Sequence, residues 1–264
     1  MGIAVLRLVR SVTRGAGDAA EAWLDVIFPP RCVGCGRTGA HFCAACVAAL
    51  APVRPPWCAS CGRSLPFGVL CPECRLDRLP LAAVRSAARF DGPLRRAVHR
   101  LKYRGHAPAG RALAALLVDP ARSLGLARPA LPAAPALGPE GRERSEGPPA
   151  VVPVPLHPAR QRERGYNQAA LLAQPLAAAL GLPYDAHVLR RVKPTPPQVG
   201  LSRQERRRNL RHAFSAEPGI AGRTIVLVDD VVTTGSTLAS AAQACLAAGA
   251  ARVYGLSLAR QDQS

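Results

Sequence analysis

The chain is poor in aromatic residues, in lysine and in acid. Of its 264 residues only 4% are aromatic: two Trp, four Tyr and five Phe. So few rings exclude an extended aromatic platform for stacking nucleic-acid bases. Lysine occurs twice, as Lys102 and Lys193, so nearly all of the 35 basic residues are arginine. Seventeen acidic residues leave a formal net charge of +18. An excess this large points away from cationic partners and toward phosphate-rich ones: a pyrophosphorylated substrate, nucleic acid, or both. No apolar run reaches the length of a membrane span. The start, Met1 to Arg10, carries arginines inside its apolar stretch and makes a poor signal peptide, so the expected location is cytoplasmic. Hydrophobic residues reach 48%, enough for one α/β domain and a smaller module.

Cysteine is the residue in surplus. Eight of nine form four C-x-x-C pairs: Cys32/Cys35, Cys43/Cys46, Cys58/Cys61 and Cys71/Cys74. Each pair can place two thiolates on one metal from a tight turn, and two pairs complete a closed tetrahedral Cys₄ site, the usual arrangement for structural Zn²⁺. Eight thiols imply two zincs. Pairing along the chain gives one site from the first two pairs and one from the last two; interleaved pairing fits the spacing as well. Disulfides are disfavoured in a reducing compartment. So short a segment has little core of its own, so metal supplies most of its stability. Replacing Cys58 by Ser is expected to loosen this module and leave the chemistry elsewhere intact. Cys245 lies apart and reads as a small buried hydrophobe.

Residues 1–28 show apolar positions at helical spacing, broken at Gly15 and Gly17, which predicts two short helices. Ala83 to Phe90 reads as a strand and Gly92-Pro93 as a turn, with a helix from Leu94 and another over Arg111–Leu117. The stretch 120–150 turns rich in Pro, Ala, Gly and Arg without sustained period and reads as a flexible insertion. Val151 to Leu156 is a short strand, followed by a basic loop from His157 to Arg164, a helix over Ala169–Leu180, and a last strand over Ala251–Leu258. Alternating strands and helices predict a mainly parallel sheet with helices on its faces. Ligands on such sheets sit at the carboxyl ends of strands.

One run carries the chemistry: Ile225-Val-Leu-Val-Asp-Asp-Val-Val-Thr-Thr-Gly-Ser-Thr237. A buried strand leads to two carboxylates, Asp229 and Asp230. A hydroxyl- and glycine-rich loop follows and then an Ala-rich helix from Leu238. Unpaired N–H groups and the dipole at a helix N-terminus favour an anion. Thr233, Thr234, Ser236 and Thr237 add hydroxyls, and Gly235 lets the backbone turn. Two acids at the loop's mouth suit ribose hydroxyls or hydrated Mg²⁺.

The run resembles the PRPP-binding motif of type I phosphoribosyltransferases. With Phe28-Pro-Pro-Arg-Cys32, the paired cysteines, Leu101-Lys-Tyr-Arg-Gly105, Pro153-Val-Pro-Leu156, Arg162-Glu-Arg-Gly-Tyr-Asn-Gln168 and the Gln198, Leu201, Arg206, Asn209 block, the chain resembles the ComF family of phosphoribosyltransferase-like proteins. The resemblance implies a type I phosphoribosyltransferase fold over 79–264. It implies a double zinc ribbon over 29–78 and leaves 1–28 as a helical segment. It assigns the 5′-phosphate to Thr233–Thr237 and the ribose hydroxyls, with Mg²⁺ accompanying PRPP, to Asp229 and Asp230. Arg160 and Arg164 are the expected pyrophosphate contacts by position, since they follow the strand where such enzymes bind it, and Lys102 is the candidate second contact. Family members are implicated in DNA uptake. Three readings follow: a transferase of unknown acceptor, a competence factor binding single-stranded DNA or other competence proteins, and a phosphosugar sensor without turnover. For DNA the candidate contacts are Arg31, Arg37, Arg54, Arg63, Arg75 and Arg78, with Arg206–Arg208 as a second patch.

Overall fold

The computed structural model describes residues 29–103, 107–126, 147–193 and 212–261. The helices expected over 1–28, residues 127–146 of the stretch 120–150, Arg104 and Gly105, and the Gln198–Asn209 block with Arg206–Arg208 lie outside those residues.

The cysteine-rich segment is two copies of one device. Isolated antiparallel bridges, Arg31 to Thr38 and Trp57 to Ser64, close a short turn around the first C-x-x-C of each copy. A five-residue helix supplies the second: α1 (Ala44–Ala48) follows Cys43, and α2 (Pro72–Leu76) follows Cys71. Each of those cysteines is the extended N-cap residue, so its partner falls in the first turn, facing the same way.

The remainder is α/β. Strand β1 (Ala83–Arg89) leads into α3 (Gly92–Tyr103), α4 (Ala107–Ala114), a 3₁₀ turn (Ala115–Leu117) and α5 (Val118–Arg122). After β2 (Ala150–Pro153) come α6 (Pro158–Arg164), α7 (Gln168–Leu180), β3 (Leu189–Arg191), β4 (Phe214–Ala216), β5 (Thr224–Val232), α8 (Ser236–Ala247) and β6 (Arg252–Arg260). The four long-range strands form a parallel sheet in the order β1-β6-β5-β2, with Val226 opposite both Val151 and Tyr254. Strands β3 and β4 make a separate antiparallel ribbon. The near-continuous apolar β5 is what a strand covered on both faces requires, and of its nine residues all but Val231 are buried.

Side chains alternate along β5 and so divide two cores. Val226 and Val228 face one core with α3, α4, α5 and α7. Ile225 and Leu227 face the other with Phe214 and α8. The cysteine clusters divide in the same way. Cys32 and Cys46 join the first core, Cys58, Cys61, Cys71 and Cys74 the second. The two ends of the stretch 120–150 that are described belong to the domain: Ala121 and Leu126 are buried, and Ala150 opens β2.

Two expectations change. Gly92-Pro93 is the first turn of α3, where proline's missing N–H costs nothing. His157–Arg164 is a helix and not a loop. The His157 side chain caps it by accepting from the Ala159 N–H, Pro158 takes its first position, and Gly165 ends it with φ 80°. Start and stop signals sufficed although the segment carries no apolar stripe: none of its residues is buried.

Candidate functional site

Strand β5 runs past the two acids to Val232, so Asp229 and Asp230 are strand residues, buried beside the loop that follows. Alternation continues through them. Asp230 meets Lys102 from α3, on the face of Val226 and Val228, with Nζ to Oδ2 at 2.7 Å. On the other face, Asp229 lies within the electrostatic reach of Arg191 from β3. Asp229 Oδ1 also accepts the Asp230 backbone N–H at 2.8 Å.

The two carboxylates are therefore unequal. Burial opposes the charge on Asp230, but the charge of Lys102 and its hydrogen bond outweigh burial and lower the pKa. The same attraction outweighs burial at Lys102 and raises its pKa. Asp229 makes no ion pair among the described residues. Burial and then the neighbouring Asp230 charge push it up to about 8. The site thus holds a lysine–aspartate pair beside a second carboxyl whose charged form is disfavoured by burial and by its neighbour.

The loop turns directly into α8. Gly235 is the N-cap at φ 78° and has no side chain to cap the helix, which leaves the first-turn N–H groups beyond Ser236 without a side-chain cap. The Thr234 and Ser236 hydroxyls bond each other at 2.7 Å, and the Ser236 N–H reaches Thr234 Oγ1 at 3.3 Å. Asp229 and residues 231–238, with Thr233 and Thr237 half-exposed, line a cavity of about 20 Å³. A side chain at Gly235 would meet Leu79: an added Cβ falls 2.8 Å from Leu79 Cδ1.

The segment Arg164–Gln168 assembles the opposite wall. Gly165 ends α6, Asn167 caps α7 through the Ala169 N–H and also donates to the Val154 carbonyl at 3.1 Å, and the Tyr166 hydroxyl donates to the Leu101 carbonyl at 2.6 Å. That last bond pins the turn of α3 that carries Lys102. Arg164 donates to Gln168 at 2.8 Å and lies over the Tyr103 ring at 5.4 Å. Arg160 is exposed on α6 and close enough for its charge to act on Arg191. The structure thus brings Asp229, Asp230, Lys102 and the loop together. It places Arg160 and Arg164 at the rim, and it ties Lys102 to Asp230.

Sequence reading passed over Arg191. Burial, then the like charge of Arg160, lower its pKa, against the pull of Asp229, and its guanidinium sits over Phe214 at 5.5 Å. Strand alternation carried the signal: Leu189 is buried, so Arg191 two positions on shares its face.

Cys32, Cys35, Cys43 and Cys46 form one cluster and Cys58, Cys61, Cys71 and Cys74 the other, with the sulfurs of each within 4.8 Å of one another. Pairing follows the chain. Sulfur–sulfur distances of 3.6 Å (Cys32–Cys46, Cys35–Cys43) and 3.7 Å (Cys61–Cys71) match the edge of about 3.8 Å for a tetrahedron with Zn–S bonds near 2.3 Å. Backbone N–H groups of Gly34 and Cys43 point at Cys32 Sγ, and that of Cys71 at Cys58 Sγ. A hydrogen bond from Cys74, then the Arg260 charge, favour the Cys61 thiolate, and the same coupling raises Cys74. All-sulfur donor sets with thiolate-stabilising donors fit two structural zincs. Cys245 is fully buried, as expected.

Comparison with known proteins agrees with both modules. The model of the double zinc ribbon domain matches residues 23–75, and that of the phosphoribosyl transferase domain matches residues 166–263. The DNA utilization protein YhgH of Salmonella typhi is 37% identical over 218 residues, covering 80% of this chain and 86% of its own length. Its Escherichia coli counterpart is 36% identical over 187 residues, 69% of this chain and 74% of its own. Competence protein F of Haemophilus influenzae is 50% identical over 94 residues, 34% of this chain and 41% of its own. No helix among the described residues is long and apolar enough to cross a membrane.

Proposed function

This chain belongs to the ComF family of phosphoribosyltransferase-domain proteins, and from that premise we propose that it binds PRPP with Mg²⁺ at the Asp229–Thr237 site, in the service of DNA uptake or use. The observation that carries the reading is the pairing of a glycine-initiated helix N-terminus with two buried acids, one of them held by a lysine. The loop cavity is small, so a phosphate sits on it with its oxygens toward the first-turn N–H groups and hydroxyls. Asp230, ionised and oriented by Lys102, accepts a ribose hydroxyl. Asp229 is the free carboxyl for the second hydroxyl or for a water of hydrated Mg²⁺, which needs only one or two carboxylates besides the substrate's own oxygens. Held by these acids, Mg²⁺ would supply positive charge to the leaving group. Arg160, Arg164 and Arg191 line the side from which the diphosphate approaches.

If turnover occurs, the lone pair of a nitrogen nucleophile forms a C1–N bond while the C1–O bond breaks and its electrons leave on pyrophosphate. The protein's part is to hold the sugar, neutralise the departing charge and exclude water. The second reading, single-stranded DNA binding, is favoured by relatives named for DNA utilization and competence and by exposed Arg31, Arg37, Arg54, Arg75 and Arg78 on the cysteine module. Titration with PRPP and Mg²⁺, followed by a screen of nitrogen bases for released pyrophosphate, tests the proposal. Binding with release for one class of base marks a transferase, and binding without release marks a sensor. Absence of PRPP binding overturns the reading.

A further inference from the structure

The second cysteine cluster reaches the phosphate loop at two points. Ser60 lies within the Cys58–Cys61 turn, and its buried hydroxyl accepts the Leu79 N–H at 3.0 Å. Leu79 is itself buried and packs on Gly235 so closely that a Cβ there has no room. On the other flank Arg260, 2% exposed at the end of β6, donates to the Cys61 carbonyl and to Cys61 Sγ. The next residue, Gln261, donates its N–H to the carbonyl of Val232 at 2.9 Å, one residue before Thr233. The first cluster instead holds α3, through Arg96 to the Gly34 carbonyl at 2.6 Å and Arg100 to the Cys32 carbonyl at 2.9 Å.

We propose that Ser60, Leu79 and Arg260 are positioning residues that brace the phosphate loop against the second cysteine cluster, so that filling that cluster with zinc preorganises the loop for a phosphorylated ligand. This deepens the site reading above and rests on it only for the nature of the ligand. An ion held by four thiolates fixes both C-x-x-C turns. With the ion gone, the Cys58–Cys61 turn gains freedom, and the Ser60–Leu79 and Arg260 contacts lose their fixed base. Gly235 then samples other conformations, and an anion must select the competent one from a broader ensemble, which weakens binding. Replacement of Cys58 therefore reaches the loop, against the expectation that it would leave the loop's chemistry intact.

The test is hydrogen exchange of the 229–238 segment in the full zinc-loaded chain. Leu79→Ala, Ser60→Ala and Cys71→Ser are compared with wild type. Leu180→Ala, a buried truncation at the far end of α7, controls for general destabilisation. The expected result is exchange at least tenfold faster in Leu79→Ala and Cys71→Ser, about threefold faster in Ser60→Ala, and near wild type in Leu180→Ala. Ser60→Ala keeps the question open to measurement should either stronger variant fail to fold. In parallel, ribose 5-phosphate affinity should fall about tenfold in Leu79→Ala at an unchanged two zincs per chain. Unaltered loop exchange in all three variants, or an equal change in Leu180→Ala, overturns the brace. If wild type fails to bind ribose 5-phosphate, the phosphosugar reading fails instead, and the exchange comparison still decides the brace.

Discussion

Adjacent acids at the end of a parallel strand were legible as residues, but their inequality was not, because it depends on what each face of β5 meets. Lys102 arrives from α3 and settles Asp230, while Asp229 is left buried without an ion pair among the described residues, its pKa raised. A raised carboxyl pKa means the folded chain binds that proton more tightly than the unfolded chain does. The contribution is fully present below the unfolded value near 4 and is lost as pH rises toward about 8. Asp229→Asn should therefore stabilise the ligand-free protein, and the gain should grow with pH over that window by at most roughly 1.4 kcal/mol per pH unit. Thermal unfolding at pH 6 and pH 8 checks this, and a gain that shrinks with pH contradicts it. Lys102→Met has the opposite sign. It leaves Asp230 buried without its cation, and loss of roughly 3 kcal/mol of stability is expected, at the low end for a broken buried pair because the lysine is a quarter exposed.

Elements were legible where local signals agreed. The strand and helix around the loop and the Gly181 stop of α7 follow from periodicity and caps. The basic segment after β2 did not read as a helix because a seven-residue exposed helix has no apolar stripe to show. Tyr166 shows another limit: its motif was recognisable, yet its bond to Leu101 joins residues 65 positions apart. Tyr166→Phe should cost roughly 1 kcal/mol in denaturant unfolding. It should also loosen the α3 turn bearing Lys102, read as faster amide exchange there. Unchanged exchange at 99–103 would remove this role.

At the scale of the molecule, four C-x-x-C pairs gave the metal content but left the pairing open, since spacing alone permits more than one. Only the fold shows that the two clusters serve opposite faces of the sheet. Elemental analysis of unoxidised protein should find two zincs per chain, and one or none would contradict the paired clusters. Charge gave the expectation of polyanion binding but not its surface. Arg63 is held by Glu73 at 2.7 Å, which leaves the exposed ribbon arginines as the proposed contacts. Affinity for single-stranded DNA should fall steeply with salt, with a smaller slope after Arg31, Arg37, Arg54, Arg75 and Arg78 are changed to Gln. A slope unmoved by those changes, with binding abolished by trace heparin, reduces the effect to nonspecific polyanion binding.

The central claim is that Asp229, Asp230 and the loop form a working phosphosugar site. Calorimetric titration of PRPP with Mg²⁺ into wild type and into Asp229→Asn/Asp230→Asn tests it most directly. A charge-assisted hydrogen bond is worth roughly 1.5–3 kcal/mol, so loss of the one from ionised Asp230 alone predicts affinity weakened by at least about tenfold, with the fold and zinc content retained. Equal affinity in the two proteins would contradict the account.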